Sequence, residues 1–573
     1  MDYETHNVDV LIIGSGGAGM RAALAALDKK QSVIILSKSV LGKAHTVMAE
    51  GGIAAAVANV DSKDNWKVHF SDTVIEGDYI GNWRMAEILA KEAPNAVYEL
   101  ERFGALFDRT PDGKIMQRAF GAHTYRRLCH VGDKTGLEII RTLEDRILHK
   151  DVKVFDETIV TKLFTDKNRI SGAFGIHMRT GKFSLFIAKS IIIATGGLGR
   201  IYKITSNSWE STGDGIALAL KVGAELKDME MVQFHPTGMV WPNGVRGLLV
   251  TEGVRGEGGI LYNNKNERFM LKYSPIKKEL DARDVVARSI YYEIQKGNGT
   301  AHNGVYLDIT HKGADFIKKK LPGMYTQFME FAGVDITKER MEVAPTVHYF
   351  MGGIAVDPES CSTNINGLYA AGEAAAGLHG ANRLGGNSLA DILVFGRRAG
   401  EAAAKFAINS KIVDIDKKEI DNEIKRIKNY LNADNNTNPY SLVEELRNIL
   451  QEKLGIIRNE KDMKNCLSKI LDIKKRSAYV SVKGDLEFNQ GLIECIELDN
   501  MVRLAECMVR SAIDRKESRG AHTRSDYPKK DKQWKKNIIC TLHDDAIQLS
   551  YHEMKEMPAE LQRIVGDEAY GKK

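Results

Sequence analysis

Val8-Asp9-Val10-Leu11-Ile12-Ile13-Gly14-Ser15-Gly16-Gly17-Ala18-Gly19 is the stretch that decides the fold. Residues 8–13 form an apolar run rich in β-branched side chains, the composition of a strand buried on both faces. Residues 18–30 are Ala-rich and read as a helix. This is a G-x-G-x-x-G fingerprint in the strand–turn–helix context that gives it meaning. Gly14 permits the tight turn, Gly16 beside Gly17 lets the backbone approach a pyrophosphate, and Gly19 allows close helix packing. The helix N-terminus then faces the phosphate charge.

Working outward, the next strand, residues 33–36, ends in Ser37-Lys38, where many dinucleotide folds carry an acidic residue for the ribose. That disfavours an ordinary NAD site and leaves Ser37 to bond a ribose hydroxyl. A second buried strand runs into Ser190-Ile191-Ile192-Ile193-Ala194-Thr195-Gly196-Gly197. Downstream, Thr212-Gly213-Asp214-Gly215 opens an apolar helix, with Asp214 placed to cap it or to bind the cofactor. A third return, Asn366-Gly367-Leu368-Tyr369-Ala370-Ala371-Gly372-Glu373, delivers a carboxylate suited to a ribityl or ribose hydroxyl. Gly385-Gly386-Asn387-Ser388-Leu389 then starts a helix running to about residue 406, whose first amides can meet a cofactor carbonyl.

Three strand–glycine elements so far apart predict an α/β fold, a split Rossmann-like domain closing on one long cofactor. The expected divisions are 1–228 and 349–410 for its two parts, and 229–348 for an inserted α+β capping domain. A helical domain at 411–516 and a C-terminal region at 517–573 complete the chain.

Lys43-Ala44-His45-Thr46-Val47-Met48-Ala49-Glu50-Gly51-Gly52 lies one strand beyond the glycine loop, which places His45 and Thr46 to meet the redox ring. Within and just after the insertion come Phe234-His235-Pro236-Thr237-Gly238, Thr251-Glu252-Gly253, Arg255-Gly256-Glu257 and Ala282-Arg283-Asp284. Val347-His348-Tyr349 and Asn382-Arg383-Leu384 follow. Singly these have ordinary explanations: a packed turn histidine, an Arg255–Glu257 surface pair, a charged helix end at Arg283-Asp284. Bracketed by cofactor segments, they point jointly to a site for an anion.

From residue 8 to about 398, and again at Glu517-Ser518-Arg519-Gly520-Ala521-His522, the chain resembles the flavoprotein subunit of succinate dehydrogenase and fumarate reductase. The resemblance implies FAD bonded through His45, in the segment that includes Thr46, Gly51 and Gly52. It implies that His235 and Thr251 hold one carboxylate of a four-carbon diacid, and His348 with Arg383 the other. Two carboxylates need two donor clusters, and arginine supplies a bidentate fork. The resemblance also implies proton transfer by Arg283, with Glu252 and Arg255 relaying to solvent. It departs from the family pattern at Lys43-Ala44, where Arg-Ser usually precedes the histidine. Glu50 stands where the dehydrogenases tend to have Gln and the reductases Glu. A carboxylate there would lower the flavin potential and favour fumarate reduction; the direction of reaction stays open.

Six cysteines include no C-x-x-C pair, so neither zinc nor an iron–sulfur cluster has its usual spacing. No metal site is expected. No apolar run is long enough to span a bilayer, and residues 1–6 show no signal-peptide pattern. The expected setting is therefore cytoplasmic, with membrane anchor subunits and an iron–sulfur protein subunit holding the chain at the cytoplasmic face. A net charge of +5 on 573 residues does not argue for nucleic acid. The basic run Lys529–Lys536 reads as solvated surface, residues 412–475 as amphipathic helices, 432–438 as a loop, and 500–516 as a further helix. Two rivals stand beside the leading reading: a soluble L-aspartate oxidase and an RNA-modifying flavoprotein.

Overall fold

The computed structural model describes residues 3–431 and 437–566. The expected loop at 432–438 and the end of the C-terminal region fall largely outside them. The central sheet is built on the strand Glu4–Ile13, flanked in parallel by Val33–Leu36 and by Phe183–Ile193. Lys153–Phe155 extends it on one side, and Leu368–Ala370 pairs in parallel with the end of Phe183–Ile193. The register aligns Ile13 with Leu36 and with Ile193, and Ile193 with Ala370. All three glycine returns thus leave the carboxyl edge of one sheet, where open α/β folds bind ligands. Arg169–His177 pairs antiparallel with the first half of Phe183–Ile193, and Thr158–Asp166 pairs antiparallel with Arg169–His177 in turn.

The helix Gly17–Asp28 covers one face, and Asn387–Ile408 packs across it. That approach requires glycine: a Cβ on Gly400 would lie 2.2 Å from the carbonyl oxygen of Ala22. Val232–Met239, Met341–Phe350, Val305–Asp308 and Ile260–Tyr262 form a separate antiparallel sheet. It has its own apolar cluster around Val250, Leu307, Met324 and Val343. The helices Pro439–Lys453, Glu460–Ser477 and Gln490–Asp514 pack together and join the main core. The hairpin Lys536–His543/Ala546–Glu553 pairs back onto Leu226–Lys227, tying the C-terminal region to the edge of the insertion.

The last long helix begins at Gln490, ahead of its expected start at 500. Its first turns carry Glu494, Glu497 and Asp499. Two of these carboxylates are held by cations from the α/β domain: Lys38 holds Glu497, and Lys221 holds Asp499.

Candidate active site

A solvent-open trough of about 1410 Å3 runs from the glycine loop along the carboxyl edge of the sheet. At one end the loop backbone is bare. Gly14 sits at φ +114°, and a Cβ there would lie 2.2 Å from the Ala194 carbonyl oxygen, so no other residue fits. Gly16, Gly17, Ala194, Thr195 and Gly196 line the same end, while Gly19 lies inside the first turn of the helix. The hydroxyls of Ser37 and Ser15 share a hydrogen bond of 2.7 Å at the wall.

Lys38 has a role the sequence did not show. Its ammonium spends three short contacts on Thr212 (2.7 Å), Asp214 (2.6 Å) and Glu497 (2.7 Å). Burial alone would lower its pKa, but the two carboxylates outweigh burial and hold it above the ordinary value. Lys38 and Asp214 therefore line the trough through a neutralised cluster that clamps the helical region, leaving backbone and methylenes to face a cofactor.

Further along, burial pushes Glu373 up to about 7, and its carboxyl accepts the Phe350 N–H at 2.9 Å. Ser388 and Leu389 open the helix Asn387–Ile408 on the opposite wall. His45 lies in a short turn, His45–Met48, whose residues are half-buried along the trough. Its Nδ1 accepts the Ser208 N–H at 3.3 Å, and the surrounding protein, aided by Arg383, lowers its pKa to about 4. Thr46 Oγ1 accepts the Gly17 N–H, joining this turn to the glycine loop.

Thr195 Oγ1, Ser208 Oγ, Glu210 Oε2 and Arg383 Nε are buried on the trough walls with no partner among the described residues. Orphaned polar atoms beside a bare glycine loop are what a dinucleotide with a polar ring system would satisfy. The donor set fits FAD.

Gly51 and Gly52 do not line the trough; they support it, Gly51 against the Phe120 ring and Gly52 against Leu128 and Cys129. Glu50 is also withdrawn. Burial and Asp133 push its pKa well above the ordinary value, against Arg118 and a hydrogen bond from Thr251. Its buried position favours the neutral acid, which weakens the expected carboxylate argument for fumarate reduction.

The anion cluster adjoins the end of the trough lined by His45, whose ring centroid lies 6.5 Å from that of His348. His348 and Arg383 line the trough itself, and His235 meets His348 edge-on with ring centroids 5.1 Å apart. Ser206 Oγ fixes His348 through Nδ1 at 2.9 Å, and Thr237 O holds His235 Nδ1 at 3.0 Å. Burial and the nearby guanidinia hold both histidines well below the ordinary imidazole range. Burial and Arg283 likewise pull Arg383 down to about 9.

Behind them Glu252 Oε2 accepts Arg283 Nε at 2.8 Å and faces Arg255 at 3.8 Å, while Oε1 accepts the Gly121 N–H at 2.7 Å. Burial would raise Glu252, yet the two arginines win and hold it at about 2. Arg255 is thus a buried partner of Glu252 and not a surface partner of Glu257. Three guanidinia and one carboxylate leave a net positive cavity, as a dianionic ligand requires. Gln233 was missed by the sequence reading: its Oε1 accepts from Arg283 at 3.1 Å, and its Nε2 donates to Asn382 and to the Arg383 carbonyl.

The family model described as FAD binding domain matches residues 9–389, and the one described as Fumarate reductase flavoprotein C-term matches 443–564. The chain belongs to the succinate dehydrogenase and fumarate reductase flavoprotein family. It is an oxidoreductase flavoprotein of that family. It is 46% identical over 540 residues to one of the subunits of the fumarate reductase (CoM/CoB) of Methanothermobacter marburgensis, covering 94% of this chain and 98% of that one. It is 41% identical over 558 residues to the succinate dehydrogenase flavoprotein subunit of Coxiella burnetii, covering 93% and 94%. A chain of E. coli quinol fumarate reductase superposes with a TM-score of 0.92 at 35% identity, over 98% of this chain and 99% of that one.

Proposed function

We propose that this flavoprotein interconverts succinate and fumarate and exchanges electrons with an iron–sulfur subunit. The observation that carries the reading is the cluster of two imidazoles, His235 and His348, and two guanidinia, Arg283 and Arg383, at the end of the cofactor trough lined by His45. His235 and Thr251 hold one carboxylate; His348 and Arg383 hold the other. The diacid is thereby pinned at both ends, with its central carbons facing the ring, so that binding energy supplies orientation. FAD, when bound, supplies a two-electron site that takes or gives hydride.

Oxidation removes hydride and a proton from adjacent carbons, and Arg283 handles the proton. A guanidinium is ordinarily a poor acid. Here Arg283 Nε donates to Glu252 Oε2 at 2.8 Å, which sets a carboxylate beside it to receive or return the proton. Glu252 and Arg255 pass it onward; the Arg255 NH1 donates to the Glu279 carbonyl at 2.6 Å.

His45 is the proposed point of covalent attachment. Its imidazole is neutral in the working range, and Nδ1 is engaged by Ser208, so Nε2 is the nitrogen left for bonding. No helix of the described residues is long and apolar enough to cross a membrane, so association with one, at its cytoplasmic face, falls to anchor subunits that connect to quinone.

A second reading of the electron donor is favoured by the relative from Methanothermobacter, whose name carries CoM/CoB. On that reading the partner exchanges electrons with CoM and CoB instead of quinone. The FAD-loaded chain, purified with its partner, tests both. Malonate-sensitive, succinate-dependent dye reduction supports the site, and fumarate reduction driven by quinol or by CoM with CoB separates the donors. No turnover of either diacid would overturn the proposal.

A further inference from the structure

Arg383 is 2% exposed, yet it makes no ion pair with any carboxylate among the described residues. Its NH1 donates to Ser388 Oγ at 2.9 Å, its Nε is unpartnered, and its Cζ lies 4.3 Å from the centroid of the Tyr349 ring. Two other buried arginines are neutralised in place, Arg127 by Asp64 and Asp72 and Arg515 by Asp228, Glu230 and Glu517, whereas Arg458 and Arg118 spend their donors on backbone carbonyls and, for Arg458, His522. The Tyr349 ring is locked from its far side. Its hydroxyl bonds His379 Nε2 at 3.1 Å, the two rings meet edge-on at 85°, and His379 Nε2 lies 3.6 Å from Asp391.

We propose that Tyr349 is a positioning residue that sets dicarboxylate affinity, its ring face holding the Arg383 guanidinium in place while leaving its charge free for the substrate. A carboxylate in that place would compete with the ligand for the fork of Arg383. An aromatic face attracts the cation through its quadrupole and leaves the charge intact. The strand Met341–Phe350 supplies both partners of the clamp in succession, His348 to the trough and Tyr349 against Arg383. This inference rests on the proposed role of Arg383 in holding one substrate carboxylate.

The test uses the FAD-loaded protein and malonate as probe, with Kd read from the perturbation of the flavin spectrum, alongside KM, kcat and flavin content. Tyr349→Leu should raise the malonate Kd and the substrate KM by about 5- to 30-fold, with kcat within about threefold. Tyr349→Phe should restore affinity to within about threefold, because the face remains. Should the Leu variant lose flavin or fail to fold, replacing Tyr349 by phenylalanine and then by 3,4,5-trifluorophenylalanine keeps the shape while weakening the face. The malonate Kd should then rise with fluorination. A Kd unchanged in the fluorinated series, or unchanged in Tyr349→Leu while Arg383→Ala abolishes binding, overturns this inference alone. Wild-type malonate affinity in Arg383→Ala overturns the site reading as well.

Discussion

Replacing Glu252 by Gln removes the one carboxylate that Arg283 and Arg255 share, with little change of shape. Glu252 is 2% exposed and held at about 2 against an ordinary value of 4.5. At ~1.4 kcal/mol per pKa unit, the fold favours its charged form by about 3 kcal/mol. This agrees with the ~3–5 kcal/mol typical of breaking a buried ion pair. The sign follows from linkage: a pKa depressed by folding contributes stability above the unfolded value, and that stability is lost as pH falls from about 4.5 through about 2. Glu252→Gln should therefore be destabilised by about 3 kcal/mol at pH 7 in urea unfolding of the FAD-loaded protein, with the difference narrowing in acid. A dicarboxylate brings its own negative charge to the orphaned arginines, so malonate should stabilise the variant at least as much as wild type. Without the relay, kcat should fall by about 100-fold or more. A variant with the wild-type urea midpoint and kcat within about threefold of wild type would refute the reasoning.

His45→Ser should still bind FAD but release it all on trichloroacetic acid precipitation, whereas wild type keeps yellow fluorescence on the polypeptide; complete release from wild type would end the attachment proposal. Burial pushes Glu50 toward its neutral acid form, which glutamine copies, so Glu50→Gln should move the flavin midpoint by less than about 15 mV, and a shift beyond about 30 mV would contradict this. Lys38→Met leaves Asp214 and Glu497 buried without their cation; stability should fall by about 3–5 kcal/mol in urea unfolding, and an unchanged midpoint would contradict the clamp between cofactor edge and helical region.

The parts of the fold legible in the sequence are those whose signal is local. The strand residues 33–36 are apolar throughout and appear with the expected bounds, and the glycine loop opens its helix at Gly17. The strand Glu4–Ile13 begins ahead of the expected residue 8 because its polar start, Glu4 to Asn7, pairs with Phe183–Ile193. A polar, partly exposed start hides a strand from an apolar count. Polar residues that act through distant partners were illegible for the same reason. Gln233 and Ser206 carry no motif, and Tyr349 stood beside His348 with no role of its own; their partners lie 50, 142 and 30 residues away. Lys38 and Asp214 were visible as cofactor-edge residues, but Glu497, 459 residues from Lys38, was not. Glu50 shows the limit of reading charge from residue type, since its ionisation is decided by burial and Asp133.

The central proposition is that side chains distant in sequence grip the two ends of a small diacid beside the cofactor ring. A crystal structure of the FAD-loaded chain with malonate tests it most directly. One carboxylate should lie on His235 and Thr251 and the other on the fork of Arg383 with His348. Malonate bound elsewhere, with Arg383 turned away from it, would rule out this grip.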